Sequence, residues 1–462
     1  MVPADLRSYI ALLEEHGDLR RVAVPVSPVH EIGAICRRLQ DQEGPAVLFE
    51  QVQGSDIPLV CNLFSHRRRI AMLFGVPEGQ LAQEYARRSH PSQYRPPWPV
   101  STGPCKEVVR RGEEVDLRCL PNPVWNEGDG GPYITFGAVR IKDPSGQLGN
   151  VSINRLQVHG PRLLGVWTAS DRDLGRILRM WWDKGQPAPV AVVIGGPPTY
   201  MLAACDHLPF GTDETLLAGA LQGDSIEVVR CETSDLDVPA TAEIVIEGEI
   251  PPDRHHPEGP FGEFLGYMGP SGLMPVINVK AVTHRRDPIC VGSYEGMPDV
   301  ETHTLMYLHL ENGLRLLLSF FAPEVVDIYV PRGSAGMAVR VSIRKRHESD
   351  PRQVIAAAFA IPTFKYVWVF DEDVDIRDEM QVQWALCTRV QPDRDLVVMS
   401  RCQGINLDPS ADRLTPDELT TLTSRVGVDA TRPLGRPFPP VVRFSQETMA
   451  AVARRWQEYG LP

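Results

Sequence analysis

The sequence has no run of roughly 18 apolar residues able to cross a bilayer, no CxxC pair, and no long block of one charge sign. The first absence excludes a helical membrane span. The second excludes paired metal-ligand spacing and gives no disulfide framework, because the nine cysteines are odd in number and widely scattered. Reduced, mostly buried thiols in a cytosol are the plain reading. The third absence, with a formal charge of −12 spread along the chain, argues against nucleic acid or an anionic membrane as the main partner. The first residues, Met1-Val2-Pro3-Ala4-Asp5-Leu6-Arg7, lack a charged-then-apolar secretory pattern, so a cytoplasmic location is expected. GxGxxG, P-loop, HExxH and GxSxG patterns are missing too, which removes the common nucleotide, zincin and hydrolase readings.

What is present is an ordinary globular composition, 43% apolar and 23% charged, over 462 residues. That length exceeds what one hydrophobic core organises, so two or three domains are expected. Apolar spacing predicts helices from Leu6 and over Glu31–Leu39, then a strand at Ala46–Phe49, a small α/β unit. Pro96, Pro97 and Pro99 forbid regular structure in the connector from Pro91 to Pro104. From about Asp116 to Tyr294 the pattern is mainly β. Strands at Tyr133–Lys142 and Asn150–Val158 flank the turn Asp143-Pro144-Ser145-Gly146. Further strands follow at Val190–Ile194, Ile226–Val229, Ala242–Ile246 and Val276–Val282, with helices at Asp171–Asp183 and Asp213–Leu221. This predicts a barrel-like sheet with inserted helices and a ligand at its mouth. A helix over Glu301–Leu318 leads to alternating strands (Val325–Tyr329, Val339–Ile343, Tyr366–Phe370, Leu396–Met399) and helices (Pro351–Phe359, Asp378–Leu386), an α/β layer. A last helix, Gln446–Tyr459, carries apolar positions suited to packing on a partner subunit.

Chemistry concentrates in His256-Pro257-Glu258-Gly259-Pro260-Phe261-Gly262-Glu263. Two acids five apart would face opposite ways on an extended strand, but the glycines and Pro260 force a compact turn that can converge them. Neighbouring acids repel, so one tends to keep its proton, and the two become an acid–base pair. A surface turn carrying acids by chance is the plainer reading of the spacing alone. Arg155 lies in the apolar and small-polar strand Asn150-Val151-Ser152-Ile153-Asn154-Arg155-Leu156, where a buried guanidinium needs an anion. Either glutamate, a substrate carboxylate, a phosphate or a structural ion pair meets that need.

Asn150, Asp173 and Glu214 supply oxygen donors suited to a hard cation bridging to a phosphate. Competing with this, Ser170-Asp171-Arg172-Asp173 reads as a capping box with Asp173 at the third helical position. Glu214 likewise suits the first turn of its helix. Strict alternation puts Asn150 and Arg155 on opposite faces, so one site uses both only if a bulge intervenes. The helix start near Ser170 could itself accept a phosphate. Asp371-Glu372-Asp373-Val374-Asp375 reads as helix-capping, solvated acids, and His255-His256 as loop surface.

Taken in order, Asn150 to Arg155, Val238-Pro239-Ala240-Thr241-Ala242-Glu243-Ile244-Val245 and Glu258 to Glu263 resemble the UbiD family of prenylated-FMN-dependent decarboxylases. Gly130-Gly131-Pro132-Tyr133-Ile134-Thr135 and the stretch from Asp371 to Trp384 add weaker support. The resemblance implies an α+β multidomain fold: an N-terminal α/β domain (1–115), a split-barrel flavin domain (116–298), a linking helix (299–322) and a C-terminal α/β dimerisation domain (323–462). It implies that Arg155, Glu258 and Glu263 are catalytic. It also implies that Ser152, Ile153, Arg155, Arg172, Asp173, Glu214 and Arg425 bind the cofactor, and that Asn150, Asp173 and Glu214 hold Mn2+ or Mg2+, with K+ a further expectation. Two positions depart from the family: Asp173 stands where a histidine is usual, and Arg425 where a lysine is usual. Arginine keeps the charge and adds bidentate contact.

The activity so implied is reversible, non-oxidative decarboxylation of an aromatic, heteroaromatic or α,β-unsaturated acid. CO2 loss from an sp² carbon needs an electron sink, which the flavin supplies. Arg155 would orient the substrate carboxylate, held by Glu258, and Glu263 would return the proton. Expected partners are the carboxylic acid, a flavin prenyltransferase that supplies the cofactor, and a second copy in a homodimer or larger homo-oligomer. Rival readings are a flavin-binding accessory subunit without turnover and a metal-dependent hydrolase using Asp173 and Glu214.

Overall fold

The structure is a computed structural model and describes residues 1–169, 172–320, 324–413 and 421–461. At its centre six strands close on themselves. In order they are Ile244–Ile250, Ala188–Ile194, Tyr133–Lys142, Gly149–Gly160, Leu163–Val166 and Gly272–His284, the last pairing back to the first. Tyr133–Lys142 and Ala188–Ile194 are buried almost throughout, which is why both read as near-continuous apolar runs. The turn between the first hairpin strands closes on Asp143, whose carboxylate accepts the N–H groups of Ser145 (3.1 Å) and Leu148 (2.8 Å). Helices Asp173–Trp182, Pro198–Ala203 and Glu214–Gln222 sit between barrel strands.

Against the barrel lies a four-stranded sheet of Leu19–Val22, Ala46–Phe49, Leu59–Cys61 and Cys290–Gly292. Its last strand comes from chain beyond the barrel, so the N-terminal unit is completed by residues far along the sequence. The proline-rich connector is more regular than expected. Trp98 and Val100 donate N–H groups to Ile226 and Val228, each at 2.8 Å. Pro97 and Pro99 occupy the alternate positions, where no donor is required, and Trp98–Pro99 pairs in parallel with the strand Glu227–Arg230. Val108–Arg111 pairs with Gly272–His284, so pairing with the central part begins before residue 116.

Helix Glu301–Leu318 leads to a six-stranded sheet containing Glu324–Tyr329, Ala338–Arg344, Tyr366–Asp371, Thr421–Ala430 and Leu396–Gly404, with Asp412–Arg413 paired alongside. Residues 321–323, at the expected join of linker and C-terminal unit, lie outside the described residues. Thr421–Ala430 was not expected as a strand; its polar Thr421, Thr423, Ser424, Arg425 and Asp429 hide the apolar alternation. Helix Gln446–Arg454 is shorter than expected and ends in a 3-10 turn, Trp456–Tyr459. The N-terminal sheet and barrel share one hydrophobic core, and the C-terminal sheet has its own. All nine cysteines are free, and among the described residues no helix is long and apolar enough to cross a membrane.

Candidate active site

Arg155 projects from the Gly149–Gly160 strand onto both acids of the 258–263 turn. Its Nε and Nη2 donate to Glu258 Oε1 and Oε2 at 3.0 and 2.7 Å, a two-pronged pair, and Nη1 donates to Glu263 Oε1. The guanidinium also lies 4.2 Å over the Trp167 ring and 5.1 Å from that of Phe261. The side chain of Glu258 is fully buried, while 8% of Arg155 and 12% of Glu263 remain exposed. The only exposed edge of the trio therefore belongs to Arg155 and Glu263. Burial raises the Glu263 carboxyl above its usual range, Arg155 opposes the rise, and Glu258 and Asp129 add to it.

The turn converges its acids because neighbouring chain holds it on both sides. Gly259 takes a left-handed φ of 84°, and its N–H donates to Gln157 Oε1 at 3.0 Å. Pro260 carbonyl accepts from Gly130 N–H at 2.7 Å, and Gly262 N–H donates to Asp129 at 2.8 Å. The Phe261 ring packs 4.6 Å from Tyr133. A Cβ at Gly269 would fall 2.9 Å from Glu263 Cγ and 3.3 Å from Arg155 Nη1, so only glycine leaves room for the pair. Gln157, Asp129 and Trp167 were not singled out from the sequence. Gln157 had a usable signal, since it stands two residues from Arg155 on the same strand.

A second cluster lies along the other half of that strand. Asn150 and Asn154 donate side-chain N–H groups to Ser152 Oγ at 3.1 and 2.9 Å, so these three share a face. The strand's N–H groups at Val151 and Ile153 leave the barrel ladder and reach Glu214 Oε2 (2.7 Å) and Ala204 carbonyl (3.2 Å). Glu214 is buried, and burial pushes its carboxyl up to about 8. The register shift beside Arg155 falls on the facing strand, and a bulge there leaves the alternation of Asn150 and Arg155 along their own strand unchanged. There Ile134 pairs with Leu156 but Gly137 with Asn154, opposite Arg155.

The helix beside this cluster starts at Asp173 with Arg172 as its N-cap and no capping side-chain bond. Asp173 is thus the first helical residue rather than the third. Ser170 and Asp171 of the expected capping box lie outside the described residues. The Asp173 carboxyl is raised, chiefly by burial, and its ion partner is Arg176 at 3.7 Å. Arg172 Nη1 lies 3.0 Å from His207 Nε2. Arg425 is not brought to this cluster. Its guanidinium donates to the carbonyls of Phe359, Gln403 (2.7 Å) and Pro362 (3.4 Å) within the C-terminal sheet. Carbonyl groups thus hold its guanidinium in this structure. Among the described residues, no three His, Cys, Asp or Glu side chains form a metal cluster. Asp371 and Asp373 are paired with Arg389, and Glu372 with Arg344. His256 lies 4.0 Å from His159.

The site thus joins a closed six-stranded barrel to a buried arginine clamped by two glutamates. Family models of 3-octaprenyl-4-hydroxybenzoate carboxy-lyase match this chain in three pieces: the N-terminal domain at 10–89, the Rift-related domain at 99–298 and the C-terminal domain at 303–430. The chain belongs to this family, the UbiD family, and is a carboxy-lyase of the UbiD decarboxylase class. It is similar to the UbiD-class enzyme HmfF from Pelotomaculum thermopropionicum, solved with FMN, at 36% identity and a TM-score of 0.88, covering 97% of this chain and 98% of that one. It also resembles the vanillic acid decarboxylase of Sedimentibacter hydroxybenzoicus (30% identity, 99% and 100% coverage, TM-score 0.87). A third similar structure is the 3,4-dihydroxybenzoic acid decarboxylase of Klebsiella pneumoniae (27%, 97% and 99%, 0.84).

Proposed function

We propose that the chain removes CO2 from an aromatic, heteroaromatic or α,β-unsaturated carboxylic acid at the Arg155–Glu258–Glu263 trio, with prenylated FMN as cofactor. The trio's geometry carries this reading: one guanidinium anchored by a fully buried acid, beside a second acid whose carboxyl is raised. The solved HmfF structures contain FMN in one case and prenylated FMN in another, which supports the cofactor. When bound, that group supplies the electron sink for the carbon that loses CO2.

The residues of the chain do the rest. Glu258 fixes the guanidinium plane through two hydrogen bonds, so Arg155 keeps its orientation while Nη1 exchanges Glu263 for the substrate carboxylate. Trp167 and Phe261 cover the guanidinium and exclude water from it. Glu263, its carboxyl raised by burial, returns H+ to the carbon from which CO2 departs. The overall balance is RCO2− + H+ → RH + CO2. Reversal as a carboxylation follows the same groups and depends on CO2 concentration.

Ser152, Ile153, Arg172, Asp173 and Glu214 are assigned to the flavin, and Asn150, Asp173 and Glu214 to Mn2+ or Mg2+, with K+ alongside. The donor set fits a hard cation: among the described residues no cationic side chain is bonded to the buried Glu214, and a metal ion would hold it ionised. Arg425 is assigned to the flavin too, its guanidinium being held by carbonyls of the C-terminal sheet in this structure. The three-part division expected from the sequence is kept, but its first boundary is moved back from 115, so that strands 98–99 and 108–111 belong to the central part.

A homodimer or larger homo-oligomer is the assembly favoured. Val442, Phe444 and Met449 of the C-terminal arm are exposed, as are Val398 and Met399 on a strand at the sheet edge. A cytoplasmic location, with a flavin prenyltransferase as cofactor source, completes the reading. The test is CO2 release from a panel of cinnamate-like, hydroxybenzoic and heteroaromatic acids by protein loaded with prenylated FMN. Turnover of none of them, with cofactor verified by absorbance and mass, contradicts it.

A further inference from the structure

Arg172 and His207 reach the second cluster from two different elements. Arg172 is the N-cap of the Asp173–Trp182 helix, and His207 follows the Pro198–Ala203 helix. The segment that leads to His207 is tied to the barrel strand at the stretch assigned to the flavin, because Ile153 N–H donates to Ala204 carbonyl at 3.2 Å. Both Arg172 and His207 are exposed, so the pair lies open to a ligand.

Arg172 Nη1 lies 3.0 Å from His207 Nε2. A guanidinium only donates, so Nε2 accepts, the ring proton sits on Nδ1 and the imidazole is neutral. Behind it, His309 of the long helix stacks on the ring with centroids 4.9 Å apart and planes 26° apart, which fixes the plane of His207. The acid next to His207 in the chain is turned to other partners: Asp206 accepts from the Tyr85 hydroxyl at 2.6 Å and from His207 N–H at 2.8 Å. Arg155 and Arg176 are held differently, Arg155 by two glutamates and Arg176 by Asp173 at 3.7 Å, so acids offset their charge. His207 orients Arg172 without offsetting it, and among the described residues no acid is bonded to Arg172. A carboxylate in the place of His207 would hold the guanidinium at least as firmly and would neutralise it.

We propose that His207 is a positioning residue for the flavin phosphate: it aims Arg172 at the anion and, being neutral, leaves the whole cationic charge to it, while His309 holds the ring in place. The inference rests on the assignment of Arg172 to the flavin in the decarboxylase reading. The ligand chemistry is a phosphate monoester. It would meet Arg172 at the start of a ten-residue helix that has no capping side-chain bond, where the free N–H groups also favour an anion.

Flavin fluorescence titration of the full chain reads this without turnover, with FMN as one probe and riboflavin, the same ring system without phosphate, as the other. The parent is expected to bind FMN more tightly than riboflavin. His207→Ala should weaken FMN binding by about tenfold, leave riboflavin binding unchanged, and add nothing once Arg172→Ala is present. His207→Gln, which keeps a neutral acceptor, should restore part of the FMN affinity, and His207→Glu, of the same shape but charged, should restore none. Equal affinity of the parent for the two flavins, equal losses for both in His207→Ala, losses that add to those of Arg172→Ala, or His207→Glu binding FMN as well as His207→Gln overturns the proposal. If the flavin selectivity behaves as stated while no acid is turned over, the decarboxylase reading fails and the role of His207 stands.

Discussion

Gln157 and Gly259 are joined by one hydrogen bond of 3.0 Å, from the glycine N–H to the glutamine side chain, and it ties the arginine-bearing strand to the two-acid turn. Arg155 and Gln157 stand two residues apart, so one strand carries both the cation and the group that fixes its acids. Gln157→Leu removes this acceptor inside a buried region. The expected outcome is a stability loss of about 1–3 kcal/mol and a lower kcat, read by denaturant unfolding and CO2 release.

Glu258→Ala leaves Arg155 with one acid instead of two in a nearly closed site. Breaking a buried pair by removing one partner costs about 3 kcal/mol or more, so a clear fall in thermal midpoint is expected. Glu258→Gln keeps the volume and one acceptor, and loses less stability than activity.

Gly269→Ala places a methyl 2.9 Å from Glu263 Cγ. Glu263 must then move, and Arg155 with it. The expected result is a loss of turnover with flavin content unchanged, measured as cofactor absorbance per chain against CO2 release.

Buried acids set the pH dependence of the cofactor-free protein. Glu214 and Glu295 sit at about 8 and Glu301 at about 7, against about 4.5 when unfolded. The folded state holds more protons than the unfolded chain between those values, so stability falls as pH rises through that window. Thermal midpoints should decline from pH 5 to pH 8, and Glu214→Gln should flatten the decline. Mn2+ should raise the midpoint at pH 8 more than at pH 5, because it binds the ionised form.

Deleting residues 433–462 removes the exposed Val442, Phe444 and Met449. Sedimentation should then report a smaller assembly, with the barrel's fold intact by circular dichroism.

Part of the barrel was legible in the sequence because strands such as Tyr133–Lys142 and Ala188–Ile194 are buried on both faces and read as apolar runs. The trio was legible as residue types but not as a site: spacing gives Glu258 and Glu263 a compact turn, yet what aims that turn is Gln157, Asp129 and Gly130, remote in the chain. The strand Thr421–Ala430 was hidden by its polar positions, and with it the carbonyl cage that occupies Arg425. Glu295 and Glu301 gave no signal, since burial of an acid depends on which distant segments cover it.

The most direct test of the trio is single-turnover CO2 release and proton return by the loaded Glu263→Gln enzyme beside the parent. An amide holds the volume of the acid but delivers no proton, so turnover should fall by about 100-fold or more while cofactor and substrate still bind. Activity should also decline in the parent as pH rises through the elevated Glu263 value, and that limb should be absent in the residual activity of the variant. Turnover in Glu263→Gln equal to the parent's would contradict the account.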